Sequence, residues 1–359
     1  MIKLIKPYIA FDEVSEDFKK VFESGWFTKG PYVGDFRKKI ENYTQAKYAF
    51  LSTSATTALT MCLKALDVLP NDEVIVSDFS FPATANVVQD IGAKPVFADV
   101  ELDTYNMSIK DLEGKINQKT KAVIFVDALG NPSGLHEIKN LCKMKNIPLI
   151  EDAACAIGSS EKNVKCGNIS DLTCFSFHPR KLLTTGEGGA ITTNSPQYAE
   201  FFDVKLNHGS IYKDGKFDFV DFGYNYRLPD LQCIMGIKQI DKLDSIVKNR
   251  NEIRNHYIKE LTPLGFIEQK INSDVVYNVQ SMVFLVPTGK KRDELIKQLY
   301  ELGVESTLGT YALSAGSYFK KAYNSVQKNS HFLQQNTITL PCYDGVDVDR
   351  VVTAIKKCL

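Results

Sequence analysis

The chain lacks an excess of charge of either sign, because 43 Lys and Arg residues balance 43 Asp and Glu residues. This balance argues against a protein that binds nucleic acid or an anionic membrane surface through its overall charge, so any phosphate must be bound locally. No apolar run approaches the ~18 residues of a membrane span. Residues 1–7 are too poor in apolar content for a signal peptide. We therefore expect a cytoplasmic protein with no membrane or nucleic-acid partner.

Paired cysteine motifs are also missing. None of the eight cysteines forms a Cys-x-x-Cys pair, and we expect buried free thiols in a reducing compartment and no metal site. The chain has no internal repeat and no low-complexity segment. A dinucleotide fingerprint is absent too, because Gly186-Glu-Gly-Gly189 lacks the Gly-x-Gly-x-x-Gly spacing. We interpret those glycines as a tight turn.

What the sequence does contain is a regular alternation of short apolar strands and amphipathic helices over residues 12–150. This spacing predicts an α/β fold with a largely parallel sheet covered by helices on both faces. After about residue 240 the pattern changes to a long helix over residues 237–261, a strand at 283–286, a helix at 291–302 and a last strand and helix. We therefore divide the chain into a large domain, residues 1–240, and a small α+β domain, residues 241–359.

Five segments each follow an apolar strand, at residues 52–57, 79–81, 127–131, 152–155 and 178–181. Ligands of open α/β sheets bind beyond the carboxyl ends of the strands. We expect these five segments to converge on one edge of the sheet.

Lys181 and Asp152 are the most informative residues of these segments. Lys181 lies between a β-rich run and a glycine-rich turn, and Asp152 directly follows the apolar run 147–150. A lysine amine forms a Schiff base with the aldehyde of pyridoxal phosphate, and a carboxylate keeps the pyridine nitrogen of that cofactor protonated. The pair therefore indicates a pyridoxal-phosphate site, although either residue alone is an ordinary lysine or a helix cap.

The other candidate residues each have a structural alternative. The segment Ser54-Ala-Thr-Thr57 at a helix start suits a phosphate, but it also suits a plain N-cap. Phe81 could stack on a flat ring, yet taken alone it is better explained by core packing. Ser176 could add a phosphate contact, and His178 is equally compatible with a substrate contact and with a structural role.

Together these segments resemble the nucleotide-sugar aminotransferases of the DegT–StrS family, which are pyridoxal-phosphate enzymes of fold type I. The resemblance covers nearly the whole chain and rests on ordered motifs. These are Ser24-Gly-Trp-Phe-Thr-Lys-Gly-Pro31, Gly92-Ala-Lys-Pro-Val-Phe-Ala-Asp99, Glu151-Asp-Ala-Ala154, Ser176-Phe-His-Pro-Arg-Lys181, Thr184-Thr-Gly-Glu-Gly-Gly189, Gly223-Tyr-Asn-Tyr-Arg227 with Gln232, and Thr339-Leu-Pro341. The fold that the resemblance implies is aspartate-aminotransferase-like, with a large and a small domain.

The resemblance also assigns roles to residues. Lys181 would carry the Schiff base and move the proton, Asp152 would pair with the pyridine nitrogen, and Phe81 would stack on the ring. The phosphate would be held by Ala55, Thr56 and Ser176. Asn225 would reach the phosphate in the neighbouring subunit, which implies a homodimer with shared active sites.

Two positions depart from the family pattern. The family usually has glycine where this chain has Ala55, and a backbone that needs positive φ would resist alanine. The family often has glutamine or histidine where this chain has Cys155, at the position that contacts the phenolic oxygen of the cofactor. A thiol donates only weakly. Both departures concern how the cofactor is held.

The implied reaction is transamination from L-glutamate to a nucleotide-linked keto-deoxy sugar, for polysaccharide, lipopolysaccharide or other glycan biosynthesis. The motif Thr184-Thr-Gly-Glu-Gly-Gly189 favours amination at C4, whereas family members that act at C3 more often have Gly-Asp-Gly-Gly. A sugar dehydratase of the same fold is an alternative that Lys181 disfavours, because those enzymes have histidine there. A non-enzymatic, cofactor-binding regulatory protein is a further alternative that Lys181 and Asp152 together disfavour.

The sequence leaves the nucleotide (dTDP, UDP or GDP) and the sugar open. The residues that we expect to face the substrate are Trp26, Thr28, His178, Thr310 and Tyr311.

Overall fold

The computed structural model of the chain describes all of residues 1–359. Its helices are α1 (Ser15–Ser24), α2 (Pro31–Thr44), α3 (Ala55–Ala65), α4 (Ala83–Asp90), α5 (Ile109–Lys115), α6 (Leu135–Met144), α7 (Pro196–Lys205), α8 (Asp230–Ile240), α9 (Leu243–Leu261), α10 (Arg292–Glu301), α11 (Ser317–Tyr323), α12 (Lys328–Asn336) and α13 (Val348–Cys358). None of them combines the length and the apolar content needed to cross a bilayer.

The strands are β1 (Tyr48–Ser52), β2 (Glu73–Ser77), β3 (Phe79–Ser80), β4 (Lys94–Ala98), β5 (Thr120–Val126), β6 (Leu149–Asp152), β7 (Ser160–Glu161), β8 (Val164–Lys165), β9 (Leu172–Ser176), β10 (Gly189–Thr193), β11 (Ser210–Lys213), β12 (Lys216–Phe219), β13 (Ile267–Glu268), β14 (Val275–Val276), β15 (Met282–Leu285), β16 (Thr307–Leu308), β17 (Tyr311–Ala312) and β18 (Thr337–Leu340).

The central sheet has seven strands in the order β1-β10-β9-β6-β5-β2-β4. The four pairings among β9, β6, β5, β2 and β4 are parallel, and β10 is antiparallel to both of its neighbours. The carboxyl ends of the six strands other than β10 therefore lie at one edge, where β10 begins. The prediction of a largely parallel sheet is confirmed.

Strand side chains alternate between two apolar layers. On one face Val74, Val76 and Ile150 pack with residues of α3, α4 and α7. On the other face Ile75 and Val123 pack with residues of α5 and α6. Burial of such aliphatic side chains stabilises the fold by about 1.5–3 kcal/mol each. Because helices cover both faces of the sheet, the sequences of its strands are short continuous apolar runs.

The C-terminal part contains a four-stranded antiparallel sheet in the order β13-β15-β18-β16. Tyr257 of α9, Leu299 of α10 and Val351 of α13 pack together in its core. Ile2, at the other end of the chain, is buried in the same core. The division at residues 240 and 241 stays a prediction.

The predicted single helix over residues 237–261 is wrong, because α8 ends at Ile240 and α9 begins at Leu243. The buried side chain of Gln239 donates to the carbonyl of Thr184 and accepts from its N–H group. These bonds tie the end of α8 to the turn before β10. The break also allows Ile240 and Leu243 to be buried in one core.

Candidate active site

A pocket of about 490 Å³ opens at the edge of the sheet where the parallel strands end. The structure brings most of the predicted site residues together in its wall. These are Ala55, Thr56, Phe81, Asp152, Cys155, Ser176, His178, Lys181, Thr310 and Tyr311. Leu129, from the segment 127–131, also lines the pocket, so the expectation that the five segments converge is confirmed.

Lys181 lies in the turn that follows β9. Its N–H group donates to the carbonyl of His178 at 2.8 Å, which closes the turn. Its Nζ atom lies 3.1 Å from the Sγ atom of Cys155. The side chain of Gln280 fixes the same turn, because it accepts from the N–H of Leu182 and donates to the carbonyl of Arg180. The amine is thus held in the pocket by a loop with restricted freedom.

Asp152 ends β6 with only 5% of its surface exposed. Burial raises the pKa of its carboxyl, against hydrogen bonds from Thr84 and Ala154 and the charge of Lys181. The hydroxyl of Thr84 donates to the carboxylate at 2.7 Å, and the N–H of Ala154 donates at 3.3 Å. Hydrogen bonds to a charged group contribute about 1.5–3 kcal/mol each. These donors favour the ionised carboxylate that a protonated ring nitrogen needs as its partner.

The start of α3 offers backbone donors to the pocket. Ser54 is the N-cap, and its hydroxyl accepts from the N–H of Thr57 at 3.2 Å, while its own N–H donates to the Thr57 hydroxyl. The capping interpretation is therefore confirmed for Ser54. The N–H groups of Ala55 and Thr56 belong to the first turn, which has no intrahelical partners, and together with the positive helix end they suit a phosphate.

Gly189 allows β10 to approach this helix start closely. A Cβ atom there would lie 2.5 Å from the carbonyl carbon of Ser54 and 2.7 Å from the nitrogen of Ala55. Real Cβ atoms essentially never approach backbone so closely, so only glycine fits. The preceding residues turn as expected, with Gly186 at a φ of 84°. The Thr-Thr-Gly-Glu-Gly-Gly motif thus shapes the start of α3 at Ala55 and Thr56, which we call the phosphate cradle.

Phe81 is 65% exposed and forms part of the pocket wall. The alternative of core packing is wrong for this residue, and the buried aromatic of the segment is Phe79. The ring of Phe81 contacts Tyr311 edge-on, with 6.3 Å between the ring centroids. Its exposure leaves the ring free to stack on a flat ligand.

Ser176 and His178 lie on the approach to Lys181. The Ser176 hydroxyl accepts from the N–H of His178 at 3.4 Å. The Nδ1 atom of His178 accepts from the N–H of Arg180 at 3.2 Å, and its Nε2 atom lies 4.0 Å from the Glu187 carboxylate. Burial lowers the pKa of His178, against the charge of Glu187. A neutral imidazole therefore lines the pocket near pH 7.

Three predicted residues do not line the pocket of their own chain. Trp26, Thr28 and Asn225 are exposed on the protein surface. The backbone of Asn225 forms an isolated bridge with Asn207. Their predicted roles require a second copy of the chain and stay predictions.

Sequence reasoning missed Thr84, Gln280 and Arg250. Arg250 is fully buried, and its guanidinium donates to the carbonyls of Val279, Gln280 and Cys342 and to the hydroxyl of Tyr8. It holds the loop that carries Gln280, and Gln280 holds the loop that carries Lys181. No local pattern signals these residues, because their partners lie far away in the chain.

The residues fit pyridoxal phosphate. Lys181 supplies an amine, Asp152 a buried carboxylate, Phe81 an exposed ring, and the start of α3 a cradle that a Cβ atom at residue 189 would fill. Each part matches one chemical group of that cofactor.

Comparisons with known proteins agree with this geometry. The sequence profile of the DegT/DnrJ/EryC1/StrS aminotransferase family matches residues 10–357. GDP-perosamine synthase of Escherichia coli O157:H7 is 30% identical over 98% of this chain and 96% of its own length. UDP-4-amino-4,6-dideoxy-N-acetyl-beta-L-altrosamine transaminase of Campylobacter jejuni is 32% identical over 92% of this chain and 89% of its own.

A solved structure shows the same architecture. The PLP form of Spr1654 from Streptococcus pneumoniae superposes with a TM-score of 0.89 at 28% identity, covering 100% of this chain and 99% of that one. The fold, the placement of Lys181 and Asp152 and the family profile lead to one conclusion. The chain belongs to the DegT/DnrJ/EryC1/StrS aminotransferase family, a pyridoxal-phosphate-dependent family of transaminases.

Proposed function

We propose that the protein transfers an amino group from L-glutamate to C4 of a keto-deoxy sugar that is linked to a nucleotide. The observation that carries this proposal is the meeting of Lys181 and Asp152 in one pocket. The names of both relatives support a sugar product, and the name of the Campylobacter jejuni relative places an amino group at C4 of its sugar. The motif Thr184-Thr-Gly-Glu-Gly-Gly189 favours the same carbon.

Pyridoxal phosphate, when bound, supplies an aldehyde for Schiff-base formation and a ring that accepts electrons. Asp152 would hold the proton of the ring nitrogen, and Phe81 would stack on the ring. The phosphate would be held by Ala55, Thr56 and Ser176. Cys155, which lies beside Lys181, would be the residue near the phenolic oxygen.

Lys181 would perform the proton transfers. Its amine would move a proton between the substrate carbon and the cofactor, which a single positioned base can do in both halves of the reaction. The turn that carries the amine is held by Gln280 and by its own bond to His178. This restraint holds the amine in one place in the pocket.

The substrate enters past His178, Thr310 and Tyr311, which line the pocket. We propose that Trp26, Thr28 and Asn225 complete the site from a second copy of the chain, since all three are exposed and lie outside their own pocket. The active unit is then a homodimer with shared sites. The free cysteines support a reducing, cytoplasmic compartment, and the product serves polysaccharide or lipopolysaccharide synthesis.

The test is a panel of 4-keto and 3-keto nucleotide sugars carrying dTDP, UDP or GDP, each incubated with glutamate and the cofactor-loaded protein. Mass spectrometry should show an amino sugar only from 4-keto substrates, and glutamate should bleach the visible absorption band. Turnover of 3-keto sugars alone would contradict the C4 assignment, and loss of a 3-hydroxyl without amination would indicate a dehydratase. A protein that stays colourless with added cofactor would contradict the catalytic role.

Lys181→Ala should reduce transfer by at least about 10²- to 10⁴-fold, the contribution of a positioned acid–base group. Its fold should persist, because Lys181 is not part of the core. Lys143→Ala, on the exposed side of α6, is the matched control.

A further inference from the structure

Two carboxyl groups that the proposed transfer does not use face each other next to Asp152. Asp127 follows β5 and Glu151 precedes Asp152 in β6, and both side chains are fully buried. One oxygen of each carboxyl and the sulfur of Cys166 all lie within 4.8 Å of one another. Because successive strand residues point to opposite faces, Glu151 lies on the face opposite Asp152.

No cation compensates these two groups. Both oxygens of Asp127 and the Oε1 atom of Glu151 have no hydrogen-bond partner. The charged neighbours that act on Asp127 are the acids Glu151, Asp152 and Glu161. The other oxygen of Glu151 accepts from the Thr173 hydroxyl at 2.8 Å. Buried carboxylates without partners are strongly disfavoured, so the pair must hold at least one proton or a cation.

We propose that Asp127 and Glu151 share a proton as a buried acid–carboxylate pair, and that this neutralisation keeps Asp152 ionised. The inference rests on the role proposed for Asp152. The proton allows one carboxyl to donate to the other, which gives one oxygen of each carboxyl a partner. It also removes a negative charge near Asp152, whose backbone carbonyl accepts from the N–H of Asp127 at 3.2 Å. Asp127 and Glu151 are therefore positioning residues that act through Asp152.

Two other titratable groups, Glu161 and Cys166, lie near the pair. The Glu161 carboxylate accepts from the N–H groups of Gly134 and His136 and contacts the His136 ring at 2.7 Å. Burial, and then the two carboxyls, raises the pKa of the Cys166 thiol, which stays protonated. Burial raises the pKa of Asp127, and the negative charge of Glu151 raises it further. Burial also raises the pKa of Glu151, although the hydrogen bond from Thr173 acts in the opposite direction.

Infrared spectroscopy of the cofactor-free protein at pH 8 tests the pair without any sugar substrate. We expect the carbonyl stretch of a neutral carboxylic acid, shifted in D₂O and lost in Asp127→Asn and in Glu151→Gln. Glu161→Gln, which alters a buried carboxylate with full hydrogen bonding, should keep the band. Absence of the band in the unmodified protein would overturn the proposal, as would a stoichiometric divalent metal that chelation removes.

The effect of the pair on the ionisation of Asp152 is measured in a separate experiment. The visible spectrum of the cofactor-loaded protein should change at high pH, where the pair loses its proton, and Asp127→Asn should lack that change. Asp127→Asn leaves the two positions with the same net charge as the proton-sharing pair, and its side-chain amide can donate to Glu151. A variant spectrum that titrates like the unmodified protein would overturn the link, whatever the sugar specificity proves to be.

Discussion

The sulfur of Cys155 lies 3.1 Å from the amine nitrogen of Lys181, inside the pocket. The two residues are 26 positions apart and meet because they follow the neighbouring parallel strands β6 and β9. A thiol is a weak donor compared with an amide or imidazole. We therefore expect cofactor binding in this chain to depend more on Asp152 and on the start of α3.

Cys155 should report on cofactor binding through its chemical reactivity. Six of the eight cysteines are buried, which leaves Cys155 and Cys358 partly accessible. We expect iodoacetamide to label these two in the cofactor-free protein, and pyridoxal phosphate to protect Cys155 alone. Peptide mass spectrometry measures both sites in one sample, with Cys358 as the internal control. Equal labelling of Cys155 with and without cofactor would place the cofactor elsewhere.

Thr84→Val should weaken cofactor binding about 10- to 100-fold. The substitution removes the 2.7 Å bond to the Asp152 carboxylate, and a bond to a charged group contributes about 1.5–3 kcal/mol. Absorbance titration with pyridoxal phosphate gives the dissociation constant. Thr60→Val is the matched control, since its hydroxyl bonds only to the carbonyl of Thr56 within α3. Unchanged affinity in Thr84→Val would show that the threonine does not support Asp152.

Gly189→Ala should displace the start of α3 and raise the dissociation constant for pyridoxal phosphate. The new methyl group meets backbone atoms of Ser54 and Ala55, which cannot move without shifting the helix. In Gly114→Ala the methyl group meets open space. That control should bind cofactor normally and gain up to about 1 kcal/mol of helix stability. Similar affinities for both variants would show that the close approach of β10 does not shape the phosphate cradle.

Asp78 should make stability depend on pH. Burial raises the pKa of its carboxyl to about 6, against bonds from Ser330 and Ser314. The folded protein therefore keeps a proton that the unfolded chain releases near pH 4. The free energy of unfolding should fall as pH rises from about 4 to 6, by roughly 3 kcal/mol.

Asp78→Asn should lack this dependence. Denaturant unfolding of both proteins between pH 4 and 8 measures it, and the stability of the variant relative to the original should increase with pH. A difference that stays constant across this range would show that Asp78 does not titrate there.

The sequence predicted the pocket because its main residues lie at or shortly after the carboxyl ends of strands. Parallel strands place their carboxyl ends at one edge, so Asp152 and Lys181 could be assigned to one site before any coordinates. Thr84 and Gln280 follow no such rule. Thr84 bonds to a residue 68 positions away, and Gln280 to residues 98 and 100 positions away. Contacts of this kind arise from tertiary packing and leave no local pattern.

Two interpretations of local sequence failed for tertiary reasons: core packing of Phe81 and a single helix over residues 237–261. Phe79 and Phe81 would share one face if the strand continued, but β3 ends at Ser80 and Phe81 turns into the pocket. The run 237–261 contains no proline or glycine that signals a break. The break accompanies two long-range contacts: Ile240 and Leu243 are buried in one core, and the side chain of Gln239 bonds to Thr184, 55 positions away.

The contact between Ile2 and the C-terminal core bears on how the chain is made. The N–H of Ile2 donates to the carbonyl of Gly303, and its own carbonyl accepts from the N–H of Glu305. Leu4 and Ile5, which follow, line the pocket. During synthesis these residues leave the ribosome long before their partners exist, and contacts so distant in sequence form late. The pocket wall is therefore completed only after nearly the whole chain has emerged, so a nascent chain cannot assemble the finished site.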